Sequence, residues 1–389
     1  MNPVPNHRKP PSWLVDRRNT DSLKWRKYQN TDILPLWVAD MDFRCAEPII
    51  EALHKRVQEG IFGYGAVPPA AVEAVMGWLE KQHQWHIEPD WIVWVPGLVS
   101  ALHIACRAFT EQDEHVLTFT PVYPPFLSAP RLSGRSLIVC PLNNENGHYR
   151  IDFHRLQKIL TDKTRLLILC SPHNPIGRVW TKDELLKIIE ICSERNILLC
   201  SDEIHCDLIL DKSVQHIPTA ALMHGAENRI ITLMSPAKTF NLPGLSCGFA
   251  VIPDIQLRRR FIQTASGIVP HVNVFGYTAC AAAFSEGLPW LQEVLDYLRE
   301  NHRILYETVN ETPGLSMGNV QATYLAWIDV SRLNLSKPAA FFEQAGVGVM
   351  DGADFGQAGF VRLNFACNRD ILLTALDRIK QAVTNHVCE

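Results

Sequence analysis

Three residues near the middle of the chain have side chains suited to one kind of chemistry: Lys238 and Ser235 in SPAKTFNLPG, and Asp202 in LLCSDEIHCDL. A lysine amine forms an imine with an aldehyde once burial or nearby charge lowers its pKa from about 10.4. A serine hydroxyl binds a phosphate, and a carboxylate pairs with a protonated ring nitrogen. The lysine and serine alone are weak indicators, because most lysines are surface charges and similar spacing occurs in unrelated serine enzymes.

Apolar runs alternate with helical patterns through the middle of the chain, which predicts a mostly parallel sheet with helices on both faces. The seven predicted strands are 92–95, 116–119, 137–140, 166–170, 197–200, 230–234 and 248–252, and helices are predicted at 98–110, 152–161 and 181–194. These elements predict an α/β fold with a large domain at residues 46–288. A smaller α+β domain is predicted from residues 1–45 together with 289–389, which begins with a long amphipathic stretch at 288–311.

Polar or glycine-containing segments follow five of these strands, at the sheet edge where open α/β proteins bind ligands. Gly97 precedes a helix whose first amides, at Leu98 and Val99, favour a phosphate. Tyr123 in TPVYPPF is suited to lie against a cofactor ring, and Asn174 in SPHNPIGRVW to donate to a phenolate. Each segment alone is also compatible with an ordinary turn, but all five together predict one site.

Asp202 is predicted to keep a ring nitrogen protonated, which makes the ring a good electron sink. His205 either contacts the phenolate region, orients Asp202, or is a satisfied structural histidine. Arg362 in FVRLNFACNR suits a substrate carboxylate, and its apolar neighbours favour burial over an exposed position on an edge strand. With Lys238, this set of groups predicts a site for pyridoxal 5'-phosphate and an amino-acid substrate.

These segments resemble the fold-type I pyridoxal-phosphate enzymes of the class I/II aminotransferase superfamily. More narrowly, the chain resembles the MalY/PatB group of cystathionine β-lyases, also called C–S lyases. The resemblance rests on LPLWVADMDF, FGYG, WVPGLVSAL, TPVYPPF, SPHNPIGRVW, SDEIHCDL, SPAKTFNLPGL and VRLNFA, which span residues 34–366. It implies an aspartate aminotransferase-like fold and a carbon–sulfur lyase acting on L-cystathionine or related cysteine S-conjugates.

The resemblance also implies roles for single residues. The predicted cofactor contacts are Lys238, Asp202, Asn174, Tyr123, His205, Ser235, Leu98, Val99 and Tyr64. Tyr64 is expected to reach the phosphate of the neighbouring subunit, which makes a homodimer the functional unit. Arg362 and Ala39 are expected at the substrate carboxylate, and Lys238 with Tyr123 in proton transfer. Three positions differ from the usual residues of the family and leave the substrate range open: Gly65, Ser100 and Ser246.

Two other functions remain open at this stage. An aminotransferase uses the same residues, because it differs only in returning a proton to the cofactor instead of expelling sulfur. Some members of the group restrain a transcription regulator, so a regulatory protein partner is a further alternative. The intact pair of Lys238 and Asp202 favours catalysis over a purely regulatory role.

Composition limits the class of protein. The net charge is −4, with 37 basic and 41 acidic residues intermixed, which does not match a nucleic-acid-binding protein. Eleven cysteines without a CxxC pair favour reduced thiols rather than disulfides or a metal site. No stretch reaches the roughly 18 apolar residues of a membrane span, and the start MNPVPNHRKPPSW lacks the apolar core of a signal peptide. We therefore predict a cytoplasmic enzyme without metal, nucleic-acid or membrane partners.

Overall fold

The computed structural model describes residues 11–223 and 229–388. Most of the first residues of the predicted N-terminal arm, in which no signal peptide is predicted, therefore lie outside the described residues. The helices are α1 (Leu23–Arg26), α2 (Glu47–Gln58), α3 (Pro69–His83), α4 (Leu98–Phe109), α5 (Pro124–Leu132), α6 (Phe153–Ile159), α7 (Lys182–Glu194), α8 (Pro236–Thr239), α9 (Ile255–Ala265), α10 (Val274–Glu286), α11 (Leu288–Glu311), α12 (Pro338–Gln344) and α13 (Arg369–Cys388). The strands are β1 (Leu34–Pro35), β2 (Ile92–Val95), β3 (His115–Thr120), β4 (Ser136–Pro141), β5 (Asn143–Glu145), β6 (His148–Arg150), β7 (Thr164–Cys170), β8 (Leu198–Asp202), β9 (Ile230–Met234), β10 (Gly248–Val251), β11 (Ser316–Met317), β12 (Leu325–Asp329), β13 (Val347–Gly348), β14 (Met350–Asp351) and β15 (Phe360–Asn364).

The central sheet contains seven strands in the order β2-β10-β9-β8-β7-β3-β4. Strands β4, β3, β7, β8 and β9 run parallel to one another, whereas β10 is antiparallel to both of its neighbours, β9 and β2. All seven predicted strands overlap strands of this sheet. The predicted α/β fold with a mostly parallel seven-stranded sheet is therefore confirmed.

Alternate residues of the parallel strands enter two apolar cores, one on each face of the sheet. In β7, Leu166 and Ile168 pack in the core that also contains the buried residues of α4, α5 and α9. Leu167 and Leu169 pack in the other core, together with residues of α7 and α10. Each fully buried apolar side chain stabilises the fold by about 1.5–3 kcal/mol. Because helices cover both faces of the sheet, side chains on both sides of these strands are buried, which explains why the strands are apolar throughout.

A second sheet lies towards the C-terminus, with four antiparallel strands in the order β11-β12-β15-β14. Strand β1 pairs in parallel with β13, so the N-terminal segment attaches to this part of the chain. Arg362 on β15 lies directly opposite Trp327 of β12 and Met350 of β14. These pairings fit the predicted small domain, although the exact division at residues 46 and 288 stays a prediction.

The long amphipathic stretch predicted at 288–311 is helix α11, which buries Leu291, Val294 and Leu298 on one face. Among the helices of the described residues, none is long and apolar enough to span a membrane. All eleven cysteines are described and free, as expected for reduced thiols.

Candidate active site

Four predicted site residues meet at the carboxyl edge of the central sheet. Asp202 ends β8, and Asn174, Lys238 and Tyr123 lie in the segments that follow β7, β9 and β3. The backbone amide of Tyr123 donates to the carbonyl oxygen of Asn174 at 3.0 Å. Arg362 reaches the same place from the smaller sheet, since its Nη1 donates to Oδ1 of Asn174 at 3.3 Å.

Lys238 lies on the short helix α8, and its Nζ donates to the carbonyl oxygen of Ala39 at 2.5 Å. Burial, followed by the nearby guanidinium of Arg362, lowers the pKa of Lys238 to about 8. A lowered pKa increases the fraction of neutral amine near neutral pH, and the neutral amine is both a nucleophile and a base. The structure therefore gives Lys238 the property that imine chemistry requires.

Asp202 is a buried carboxyl group without a cationic side chain bonded to it in the part of the chain that the structure describes. Burial raises the pKa of Asp202 to about 7. The backbone amide of Ile204 donates to its Oδ1 at 3.2 Å. Because an unpaired buried charge is costly, this carboxyl group suits a ligand that brings a positive charge of its own.

His205 presents an unpaired nitrogen in the same region. Its Nδ1 is buried and has no hydrogen-bond partner among the described residues. Burial, then the charges of Lys238 and Arg362, lower the pKa of His205 to about 3, so the imidazole is neutral. An unpaired buried polar atom costs about 1–3 kcal/mol, which argues against a satisfied structural histidine and favours a partner on a bound molecule.

Helix α4 begins with uncapped backbone amides. Its N-cap residue, Gly97, has extended backbone with φ 172° and ψ 155°, and no side chain caps the helix start. A Cβ at Gly97 would meet no atom within 4 Å, so the space beside the start of the helix is open at this residue. The N-terminus of a helix as long as α4 attracts phosphate because its free N–H groups lie at the positive end of the helix dipole.

Ser235 already uses its hydroxyl within the protein. The hydroxyl donates to the carbonyl oxygen of Cys247 at 2.7 Å and accepts from the amide of Ala237 at 3.1 Å. Donation to a phosphate therefore requires this proton to turn away from Cys247. The uncapped amides of α4 are better prepared for the phosphate than Ser235 is.

Arg362 is buried but remains charged at neutral pH. Its Nη2 donates to the carbonyl oxygen of Trp37 at 2.9 Å, and the guanidinium lies 4.9 Å from the ring centre of Phe355. Burial lowers the pKa of Arg362 to about 10. Its Nε has no partner among the described residues, so the group retains a donor for a carboxylate.

Tyr64 stands apart from this buried group. Its side chain is fully exposed, and Ile61 and Phe62 on the same segment also expose most of their surface. Neighbouring exposed side chains of this size are typical of a contact surface. The single chain therefore does not bring Tyr64 to the site, which fits a residue that serves a neighbouring subunit.

Three further side chains lie at the site and were not among the predicted residues: Asn241, Asn364 and Tyr324. They hold the segment of residues 37–43, here called the strap, which crosses the site beside Lys238. Their hydrogen bonds, 2.6–3.1 Å long, engage the backbone of Val38, Ala39, Asp40, Met41 and Phe43. In the sequence, Asn241 and Asn364 could have been found because they lie in the same motif segments as Lys238 and Arg362. Tyr324 has no such neighbour and resembles an ordinary strand residue.

Comparison with known proteins identifies the family. Residues 31–379 match the family model described as aminotransferase class I and II. The chain belongs to this family. Within the family, it is 39% identical over 381 residues to cystathionine β-lyase PatB of Bacillus subtilis (strain 168), covering 95% of this chain and 98% of that protein.

Solved structures of this family agree with the fold. The crystal structure of OvoB superposes with a TM-score of 0.93 at 47% identity, covering 96% of this chain and 98% of that one. The PLP-bound C–S lyase from Staphylococcus hominis gives a TM-score of 0.88 at 32% identity, covering 95% and 97%. The predicted membership of the PatB-type, pyridoxal-phosphate-dependent cystathionine β-lyase group is confirmed.

Proposed function

We propose that this family member is a pyridoxal-phosphate-dependent carbon–sulfur β-lyase. It cleaves L-cystathionine or related cysteine S-conjugates by α,β-elimination and releases a thiol, pyruvate and ammonia. The observation that most supports a pyridoxal-phosphate enzyme is that Lys238, whose pKa is lowered to about 8, lies near the buried carboxyl group of Asp202. The PatB relative is itself named a cystathionine β-lyase.

The site residues fit pyridoxal phosphate. Asp202 would hold the protonated ring nitrogen, the amides at the start of α4 would hold the phosphate, and Lys238 would bind the aldehyde. Asn174 and the unpaired Nδ1 of His205 supply polar groups for the phenolate side of the ring. When bound, the cofactor supplies an electron sink for the negative charge that develops at the substrate α-carbon.

The protein side chains would do the rest of the chemistry. The neutral amine of Lys238 takes the proton from the α-carbon, and the bond from the β-carbon to sulfur breaks with its electron pair leaving on sulfur. A thiol pKa near 8.5 makes thiolate a tolerable leaving group. Lys238 or Tyr123 would then protonate the sulfur, while Arg362 and Ala39, within the strap, would hold the substrate carboxylate.

An aminotransferase is the alternative, and the family description supports it as a second candidate. The experiment that separates the two uses purified protein with pyridoxal phosphate and L-cystathionine but no keto acid. Continuing release of pyruvate, ammonia and homocysteine is expected. Amino transfer that appears only after a keto acid is added would contradict the lyase assignment. No product in either assay, with or without the keto acid, would favour a regulatory role.

The proposed substrate clamp predicts a binding defect in Arg362→Lys. Lysine keeps the charge but loses the planar pair of donors that a carboxylate accepts. KM for L-cystathionine is expected to rise about 10–100-fold, with a smaller change in kcat. Steady-state kinetics measure this, with Arg258→Lys as the control, since Arg258 is also buried but binds Asp90. An unchanged KM in Arg362→Lys would remove Arg362 from the substrate site.

We also propose a homodimer in which Tyr64 of each subunit completes the partner's site. Tyr64→Ala and Lys238→Ala proteins should each be inactive as homodimers. After co-refolding in equal amounts, mixed dimers carry one site with both native residues, so about one quarter of wild-type activity is expected. Activity that stays at the level of the separate variants would place both residues in the same subunit's site.

We place the enzyme in the cytoplasm. Eleven free cysteines, nine of them buried, suit a reducing compartment rather than one in which disulfides form. A small-molecule amino acid is its proposed partner, without nucleic acid or membrane.

A further inference from the structure

One backbone oxygen in the site, that of Ala39, accepts two side-chain hydrogen bonds. Lys238 donates through Nζ at 2.5 Å, and Tyr324 donates through its hydroxyl at 3.1 Å. The side chain of Tyr324 is fully buried, so water does not compete for this hydroxyl. Within residues 11–223 and 229–388, Lys238 and Tyr324 are the side chains bonded to this oxygen.

The backbone before Tyr324 is held in an unfavourable conformation. Thr323 has φ 75°, in the left-handed region that β-branched residues avoid. Its amide donates to the carbonyl oxygen of Leu208 at 2.9 Å, and its Oγ1 accepts from the amide of Leu325 at 3.1 Å. These bonds fix the turn, and with it the direction in which the Tyr324 ring enters the site.

The strap that Tyr324 holds also contacts the substrate clamp. Arg362 donates to the carbonyl oxygen of Trp37, two residues before Ala39. Movement of the residue-39 peptide would therefore disturb the position of the guanidinium as well. Lys238 and Arg362 therefore both bond to the backbone of the strap.

We propose that Tyr324 is a positioning residue that keeps the Ala39 peptide in place whenever the nitrogen of Lys238 leaves it. This inference rests on the proposed function, in which Lys238 must release Ala39 to bind the cofactor aldehyde or move a proton. Tyr324 is then the remaining donor to that oxygen. The strap and Arg362 keep the geometry that receives the substrate carboxylate through the reaction.

Hydrogen exchange tests this inference without relying on activity. The peptide covering the strap is followed by mass spectrometry in Lys238→Ala, Tyr324→Phe and the double variant. In cofactor-free protein, each single variant should exchange within about threefold of wild type, because one side-chain donor to Ala39 remains, and the double variant should exchange at least about tenfold faster. If the double variant exchanges no faster than the single variants combined, the proposal is overturned. A loosened strap in the double variant, together with wild-type holoenzyme that releases no pyruvate from L-cystathionine, would refute the proposed function alone.

Kinetics of the holoenzyme give a second reading. Tyr324→Phe should raise KM for L-cystathionine about 3–10-fold while kcat stays within twofold and the cofactor absorption band is unchanged. Tyr28→Phe is the matched control, because that hydroxyl bonds Glu343 at 3.1 Å. A fall in kcat at constant KM would place Tyr324 at the reacting atoms and overturn a positioning role, as would an equal rise in KM in Tyr28→Phe.

Discussion

Lys238→Ala should abolish pyruvate release from L-cystathionine, with kcat/KM falling at least about 10⁴-fold. Two functions should disappear together, because in the proposed mechanism the same amine binds the cofactor aldehyde and moves the α-proton. Lys238 is prepared for both by burial and by Arg362, which lower its pKa to about 8. An added small amine should restore a fraction of the activity, since the cavity left by the side chain admits a free base.

The covalent bond to the cofactor is measured separately from activity. Wild-type protein reduced with borohydride in the presence of pyridoxal phosphate should carry one stable adduct on the peptide containing Lys238, and Lys238→Ala should carry none. Lys187→Ala is the control, because Lys187 is an exposed lysine paired with Glu190. A reducible adduct on another lysine in the Lys238→Ala protein, or activity within tenfold of wild type, would be incompatible with this assignment.

The sequence predicts the central sheet well because its signal is local. Few structures other than a parallel sheet covered by helices on both faces can bury continuous apolar runs that are separated by helices. The direction of β10 is different, since it depends on the connection from β9. That connection contains only the four-residue α8 and the turn Pro243–Leu245, which leaves no room for a full crossover helix. Strand direction was therefore not visible in the apolar pattern itself.

The site divides in a similar way. The meeting of Lys238, Asp202 and Asn174 at one edge of the sheet was predictable, because each lies at or after the end of a recognisable strand and parallel strands bring their carboxyl ends together. The strap was not predictable, because its contacts join residues far apart in sequence: Tyr324 bonds Ala39 across 285 positions. The ionisation of Asp202 was also hidden, since its pKa of about 7 comes from burial that only the folded chain creates.

Asp202→Asn is expected to lower kcat/KM about 10²–10³-fold while the cofactor adduct on Lys238 still forms. Asparagine fills the same space but carries no negative charge, so it does not keep the ring nitrogen of the cofactor protonated. The electron sink is then weaker, and removal of the α-proton by Lys238 becomes the slow step. A substrate deuterated at the α-carbon should show a larger kinetic isotope effect in Asp202→Asn than in wild type.

Glu203→Gln provides the matched control for this change. Glu203 is the next residue and is also fully buried, but its carboxylate accepts from Nε2 of His216 at 2.8 Å instead of entering the site. Burial raises the pKa of Glu203, but His216 and the other hydrogen-bond donors outweigh it and leave the pKa below its usual value. Glu203→Gln should therefore lower thermal stability with little effect on kcat or the isotope effect. If the two variants lost activity equally, the loss would come from disturbing this buried loop, and the charge of Asp202 would have no separate part in the chemistry.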